Sequence, residues 1–218
     1  MKTILYIFLG ASIGSFLGVV IDRFPDESLL FPSSHCNHCK RPLKWWDMIP
    51  ILSQLLLLSK CRYCKARISY WYIGLELISA GLTLLLFNGM LSLLQGSLLF
   101  AGLVLTIYDI KYREYPLMVW LSFTSLALLL SGLNWVFCCF IFLGLLAETY
   151  KLNIGSGDFF YLASLSLFFS LSDLLWIIQL ASLLGIVIFR VFKPTSLAYV
   201  PCLFLASLLV QILSIFQL

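Results

Sequence analysis

Charge is scarce in this chain. Asp, Glu, Lys and Arg make up only 11% of 218 residues, against 61% hydrophobic residues and a mean hydropathy of +1.02. No soluble core of this size hides that much apolar surface, so a water-soluble globular protein is excluded. Histidine is almost missing: His35 and His38 are the only two, and both lie in a cysteine cluster. No imidazole is therefore left to activate a Ser or Cys nucleophile elsewhere. The first apolar run has no Ala-x-Ala-like cleavage site after it and ends in Asp22-Arg23-Phe24-Pro25, so it reads as a retained anchor. The formal charge of +4 forms no patterned basic surface, and nucleic acid is not an expected partner.

What is present is mostly membrane-compatible sequence. Apolar segments run at about 3–21, 72–87, 90–108, 117–131, 133–147, 159–171, 174–190 and 197–217. Each is near or somewhat below the roughly 20 residues that cross a bilayer. We read eight helices, with seven as the other count, because the segments at 133–147 and 159–171 are short enough to be tilted, half-buried or reentrant. In the first segment Gly10, Gly14 and Gly18 recur every four residues, which puts them on one face where a neighbouring helix can come close.

Lys and Arg divide sharply between the two sides. Segment 22–71 holds eight of them: Arg23, Lys40, Arg41, Lys44, Lys60, Arg62, Lys65 and Arg67. Lys111 and Arg113, Lys151, and Arg190 and Lys193 occupy turns on the same side, and only Lys2 lies opposite. The positive-inside rule then puts segment 22–71 and these turns in the cytoplasm. Contact with anionic lipid is the accompanying expectation.

Four cysteines stand in that segment as Cys36-x-x-Cys39 and Cys61-x-x-Cys64, with 21 residues between the pairs. Two thiolates at this spacing bind one metal ion from a single tight turn, and two such turns complete a tetrahedral Zn2+ shell. A reducing compartment favours this over disulfides. Four cysteines leave no open coordination position, so the zinc is expected to be structural. His35 and His38 stand beside the first pair as substitute ligands, while Cys138, Cys139 and Cys202 read as small packing residues in apolar spans. The expected fold is an all-α polytopic membrane protein of about eight transmembrane helices, with a small cytoplasmic zinc-ribbon-like cap between helices 1 and 2. Residues 1–21 form the first helix, 22–71 the cap, and 72–218 a membrane domain of about seven helices.

Three acidic residues sit at the membrane edge: Glu76, Asp109 and Asp158. Glu76 lies about a turn inside the second helix, where a carboxylate needs a proton or a partner, and a bond to a neighbouring helix is the simplest reading. Asp109 ends one apolar run. Asp158 closes Gly155-Ser156-Gly157-Asp158 and opens another. The two glycines permit positive φ or a close approach by another chain segment, although an N-cap after a glycine turn looks the same. Two carboxyl groups brought together at the inner ends of two helices share a proton, one activating water while the other polarises a carbonyl, which is what peptide hydrolysis requires.

These pieces together resemble the type IV prepilin peptidases, GxGD-type membrane aspartic proteases of bacterial pilus, secretion and competence systems. The resemblance runs through Gly14-Ser15-Phe16-Leu17-Gly18-Val19-Val20-Ile21, Cys36 to Ile51 with Trp46-Asp47-Met48-Ile49-Pro50, and Cys61 to Glu76. It continues at Asp109 with Pro116 seven residues on, at Gly155 to Asp158, and at Ala198-Tyr199-Val200-Pro201. It implies Asp109 and Asp158 as the catalytic pair, supported by Gly155 and Gly157, and Cys36, Cys39, Cys61 and Cys64 as metal ligands. It also implies prepilins or pseudopilins as substrates, cleavage of a short basic leader at the cytoplasmic face of the bacterial cell membrane, and N-methylation of the new terminus with S-adenosylmethionine in many members. The chain departs from the common pattern at Phe159-Phe160, where Val or Ile and then Lys is usual, and at Tyr115-Pro116-Leu117.

Two rival readings stay open. One is a methyltransferase with a secondary peptidase centre, for which the lack of a glycine-rich loop after a strand is neutral. The other is a non-enzymatic zinc-ribbon membrane scaffold for a pilus, secretion or DNA-uptake machine. Within the peptidase reading, helix dipoles assign roles. Asp109 lies at a negative C-terminal end and Asp158 at a positive N-terminal end, which makes Asp158 the expected carboxylate base and Asp109 the acid. A basic leader is not drawn to a face rich in Lys and Arg, so Asp22, Asp26, Glu27 and Asp47 are the candidates for local relief, and membrane partitioning of the substrate helix is the expected main source of binding.

Overall fold

The computed structural model describes every residue except 25, 30, 32, 151–154, 194–195 and 217–218. Lys151, one of the cations counted above, lies outside the described residues. Nine α-helices occur among the described residues: α1 Lys2–Arg23, α2 Leu52–Leu56, α3 Trp71–Phe87, α4 Leu93–Tyr112, α5 Leu117–Ser131, α6 Trp135–Thr149, α7 Ser156–Leu165, α8 Leu171–Phe192 and α9 Val200–Phe216. All but the five-residue α2 answer to an expected apolar segment. Helices α1, α4 and α8 are long and apolar enough to cross a membrane, while α3, α5, α6 and α9 are shorter apolar helices. Large side chains such as Leu175, Trp176, Leu183, Ile186 and Phe189 of α8 face outward. That surface is stable against lipid and not against water.

Two compact units make up the chain, Met1–Ser92 and Leu93–Leu218. In the first, α1 lies along α3. The glycine stripe is the reason. A Cβ built on Gly10 would stand 2.6 Å from the Ser79 carbonyl oxygen, and one on Gly14 would stand 2.8 Å from Glu76 Cα and 2.9 Å from the Leu75 carbonyl oxygen. Backbone atoms cannot rotate out of the way, so Gly14→Ala must push the helices apart. The expected cost is about 1–3 kcal/mol, the usual range for overpacking. Thermal unfolding in detergent reads it, and an unchanged melting point would contradict this account of the contact.

The second unit is arranged around α4, which is buried from Gly96 to Leu105 and touches α5, α7 and α9. Helix α6 lies against α7, and α8 against α9. Leu98, Ala127, Phe137, Ala163 and Leu167 form a core cluster contributed by α4, α5, α6 and the α7 end. Helix α7 has ten residues, so it rises only about 15 Å and cannot span the hydrocarbon layer. It is an internal element. The apolar run 159–171 hides a break: Ser166 Oγ donates to the Ala163 carbonyl at 2.6 Å, and a capping box of Ser170 and Asp173 starts α8 at Leu171.

Candidate functional site

Asp109 stands in the last turn of α4, three residues before its end at Tyr112. Arg113 then takes a left-handed conformation with φ 58°, and its N–H donates to the Asp109 carbonyl at 3.2 Å. Asp158 is the third residue of α7, whose N-cap is Gly155. The fold brings these two carboxyl groups within electrostatic range of each other, although they come from helices far apart in sequence. Both are half-buried.

The helices are fixed around the pair by aromatic packing. Trp120 Nε1 on α5 donates to the Phe160 carbonyl at 3.0 Å and to Ser164 Oγ at 2.7 Å. The Phe160 ring stacks near Trp120 and fills the space left by Gly144 on α6, where a Cβ would stand 2.7 Å away. This explains the departure at position 160: the side chain is part of an apolar wedge between α5, α6 and α7. Gly157 does not use positive φ, since Gly89 and Gly132 are the glycines in that region among the described residues. Its role is close approach. A Cβ there would lie 2.5 Å from the Tyr115 ring and 2.8 Å from Tyr115 Cβ. What passes close is thus a side chain of the α4–α5 connection. Burial holds the Tyr115 phenol well above its usual value, so it stays neutral beside Asp158.

Gly157→Ala is therefore expected to move either Tyr115 or the α7 first turn that carries Asp158. A displacement of about 1 Å at a reacting group costs on the order of a hundredfold in rate. Initial rates of the leader cleavage that the resemblance implies, with thermal stability as control, check this expectation; a variant within about threefold of the parent contradicts it.

A third element at the site, Ala198-Tyr199-Val200-Pro201, was marked in the sequence by the resemblance but without a role. The Val200 N–H at the start of α9 donates to Asp109 Oδ2 at 3.1 Å, and the Tyr199 N–H lies within electrostatic range of the same carboxyl. Tyr199 Oη and Ser182 Oγ share a hydrogen bond of 2.9 Å, which ties this turn to α8. Cys202 is fully buried and lies within electrostatic range of both aspartates. The sequence signal for this element was Pro201 just inside an apolar run, the mark of a helix start. Cys138 and Cys139, in contrast, are exposed on α6, so they do not serve as internal packing residues there.

In the first unit the four cysteine sulfurs gather within 4.8 Å of one another, and Cys36 Sγ and Cys64 Sγ are 3.8 Å apart. Four sulfurs at tetrahedral Zn–S distances are about 3.8 Å from each other, so the set fits such an ion. The two turns are copies of each other. In one, Cys36 N–H donates to the Arg41 carbonyl and Lys40 N–H to the Cys36 carbonyl; in the other, Cys61 N–H donates to Ala66 and Lys65 N–H to Cys61. Lys40 and Lys65 have matching φ of 56° and 58°. The Cys64 N–H at its sulfur lowers Cys61 to about 7, which favours the ligand form. The metal-competent group consists of cysteines alone, and His35 Nδ1 is engaged with the Ser33 carbonyl.

The other acidic residues have structural partners. Glu76 is buried and accepts the Ile51 N–H at 2.6 Å, with Ser15 of α1 nearby, so it ties α3 to the cap and faces the neighbouring helix. Asp47 pairs with Arg62 at 2.7 Å, holding the turn Trp45–Met48 on the second cysteine pair. Asp22 accepts from Tyr72 Oη. Of the four candidates for meeting a basic leader, Asp26 and Glu27 are the exposed ones.

Residues 8–90 match the family described as the bacterial peptidase A24 N-terminal domain. A prepilin leader peptidase/N-methyltransferase of Neisseria gonorrhoeae is 30% identical over 242 aligned positions, which cover 89% of this chain and 85% of that protein. A protein of the same name from Myxococcus xanthus is 50% identical over 50 residues, 22% of this chain and 15% of that protein. A type 4 prepilin-like proteins leader peptide-processing enzyme of Escherichia coli is 39% identical over 67 residues, 22% of this chain and 25% of that protein. No solved structure matches the chain.

Proposed function

Since the chain belongs to the prepilin leader peptidase family, we propose that it is an aspartic endopeptidase removing short basic leaders from type IV prepilins or pseudopilins. The observation that carries this reading is the meeting of Asp109 and Asp158, two carboxyl groups supplied by the end of α4 and the start of α7. Two carboxyl groups in mutual range hold one proton between them. One carboxylate takes a proton from water as the water oxygen bonds to the leader's amide carbon, while the other carboxyl gives its proton to the carbonyl oxygen. In the collapse the C–N bond breaks, the departing amine takes the first carboxyl's proton, and a diol hydroxyl returns a proton to the second. One water is consumed and the pair is restored.

The reading places both aspartates in a peptidase domain over 72–218, after a first helix over 1–21 and a cap over 22–71. The bias of Lys and Arg supports a cytoplasmic position for the cap and for the turns beside the aspartates, in the bacterial cell membrane. Cys36, Cys39, Cys61 and Cys64 would hold Zn2+, which would supply a crosslink between the two turns of the cap. The substrate's apolar helix partitions into the same bilayer, which raises its local concentration without requiring charge attraction.

N-methylation of the new terminus is a second activity, supported by the names of the relatives. Among the described residues no strand is followed by a glycine-rich turn, so no residue is assigned to S-adenosylmethionine. The test is incubation of membranes containing this protein with a prepilin and S-adenosylmethionine, followed by mass determination of both chain ends. A terminus lacking the leader supports the peptidase, an intact prepilin refutes it, and a methyl group added to the cleaved terminus supports the second activity, which a cleaved but unmethylated terminus refutes.

A further inference from the structure

Helix dipoles alone make Asp158 the anion, and α4 does end at Tyr112 as that argument requires. A third helix end, however, reverses the order. The first N–H groups of a helix have no partner inside it and form the positive end of its dipole. At α9 these groups are aimed at Asp109: Val200 N–H donates to Oδ2 at 3.1 Å, and the Tyr199 N–H, just before the helix, lies within electrostatic range of the same carboxyl. Pro201, next in line, has no N–H to add and fixes its own φ, which presets the first turn. Arg113 adds a positive charge within electrostatic range. Direct N–H to carboxylate bonds are charge-assisted and outweigh the diffuse field at the α4 end.

Asp158 has only the diffuse field of the α7 N-terminus in which it stands, with no direct donor and no positive side chain. Among the described residues no donor meets its carboxyl oxygens, and Oδ2 folds back to 3.1 Å from the place a Gly155 Cβ would occupy. The groups that face it are Asp109 from α4, Tyr115 from the α4–α5 connection, Tyr199 before α9 and Cys202 in α9. None of these brings a positive charge. The groups facing Asp109 are Arg113, Asp158 and Cys202.

We infer that Asp109 is the resting carboxylate, that Asp158 carries the shared proton, and that the Tyr199 and Val200 amides at the start of α9 set this order. In the reaction Asp109 then takes the proton from water as the oxygen bonds to the amide carbon, and Asp158 donates its proton to the carbonyl oxygen. On collapse Asp109 protonates the leaving nitrogen and Asp158 recovers its proton from the diol. Tyr199 and Val200 are positioning residues that act through Asp109. The inference rests on the peptidase reading.

Infrared spectroscopy of purified Asp109→Asn and Asp158→Asn proteins, with the double variant subtracted, isolates the carboxylic acid band of the remaining aspartate. The expected result is that Asp158 keeps its protonated band to a pH about one unit or more above the value at which Asp109 loses it, roughly a tenfold difference in proton affinity. Equal titrations, or Asp109 holding its proton to the higher pH, overturn the assignment. Val200→Pro in the Asp158→Asn protein removes one donor at a helix position that tolerates proline, and is expected to move the Asp109 band toward higher pH. Val200→Ala keeps the N–H and is expected to titrate with its parent. A folded Val200→Pro protein whose band does not move overturns the role of α9, and the comparison of the two asparagine variants stands independently if that protein does not fold. If both asparagine variants still cut prepilin at the parent rate, it is the peptidase reading that fails.

Discussion

Replacing Asp109 or Asp158 by asparagine is expected to leave a folded, membrane-inserted protein that no longer removes leaders. General acid–base catalysis contributes about 10²–10⁴-fold per group, and in the proposed mechanism each aspartate changes from donor to acceptor within one cycle, so either substitution should cost the full upper range. Asparagine keeps the shape of the side chain. At position 109 its carbonyl oxygen still accepts the Val200 N–H, so the turn before α9 is not released. The two losses are also expected not to add. A pair that works as a unit is disabled by its first loss, and the double variant should cut no more slowly than either single one. Initial rates on a prepilin in matched membrane preparations measure all three. A single variant within tenfold of the parent, or a double variant far below both, would sink the joint role.

Features that depend on neighbours in the chain were readable before the structure. The eight apolar runs, the glycine stripe of α1 and the paired cysteines all express a local period or spacing. Asp109 and Asp158 were readable as helix-end acids because apolar sequence lies on one side of each. Contacts across long separations were not. The Val200 amide on Asp109 joins residues 91 apart, and the Ile51 N–H on Glu76 joins residues 25 apart. Backbone donors also carry no residue identity, so the side chain at position 200 does not announce that its N–H meets Asp109. Gly157 was a signal that something lies close, but not that it is the ring of Tyr115. The short α7 was concealed because serine hydroxyls can bond to the backbone they sit on, which ends a helix without an obvious breaker.

Removing Cys61 is expected to unfold the cap, and the reason lies in what the cap is made of. Over residues 34–70 the buried residues are Asp47, Gln54, Ser59 and Cys61. No large apolar side chain is buried there, so hydrophobic burial cannot offset the entropy of ordering the segment. Backbone hydrogen bonds in the two matching turns, the Asp47–Arg62 pair and the Glu76–Ile51 bond remain. Such bonds are each worth about 1 kcal/mol net. A bound structural zinc contributes on the order of 10 kcal/mol in small domains, far more than any one of them. Cys61→Ser should then lower metal content from about one zinc per chain to near zero and make residues 34–70 sensitive to limited proteolysis, as should a strong chelator acting on the parent protein. Elemental analysis and mapping of the cut sites read both effects. Full protection of the segment in a metal-free Cys61→Ser protein would show that the turns hold themselves.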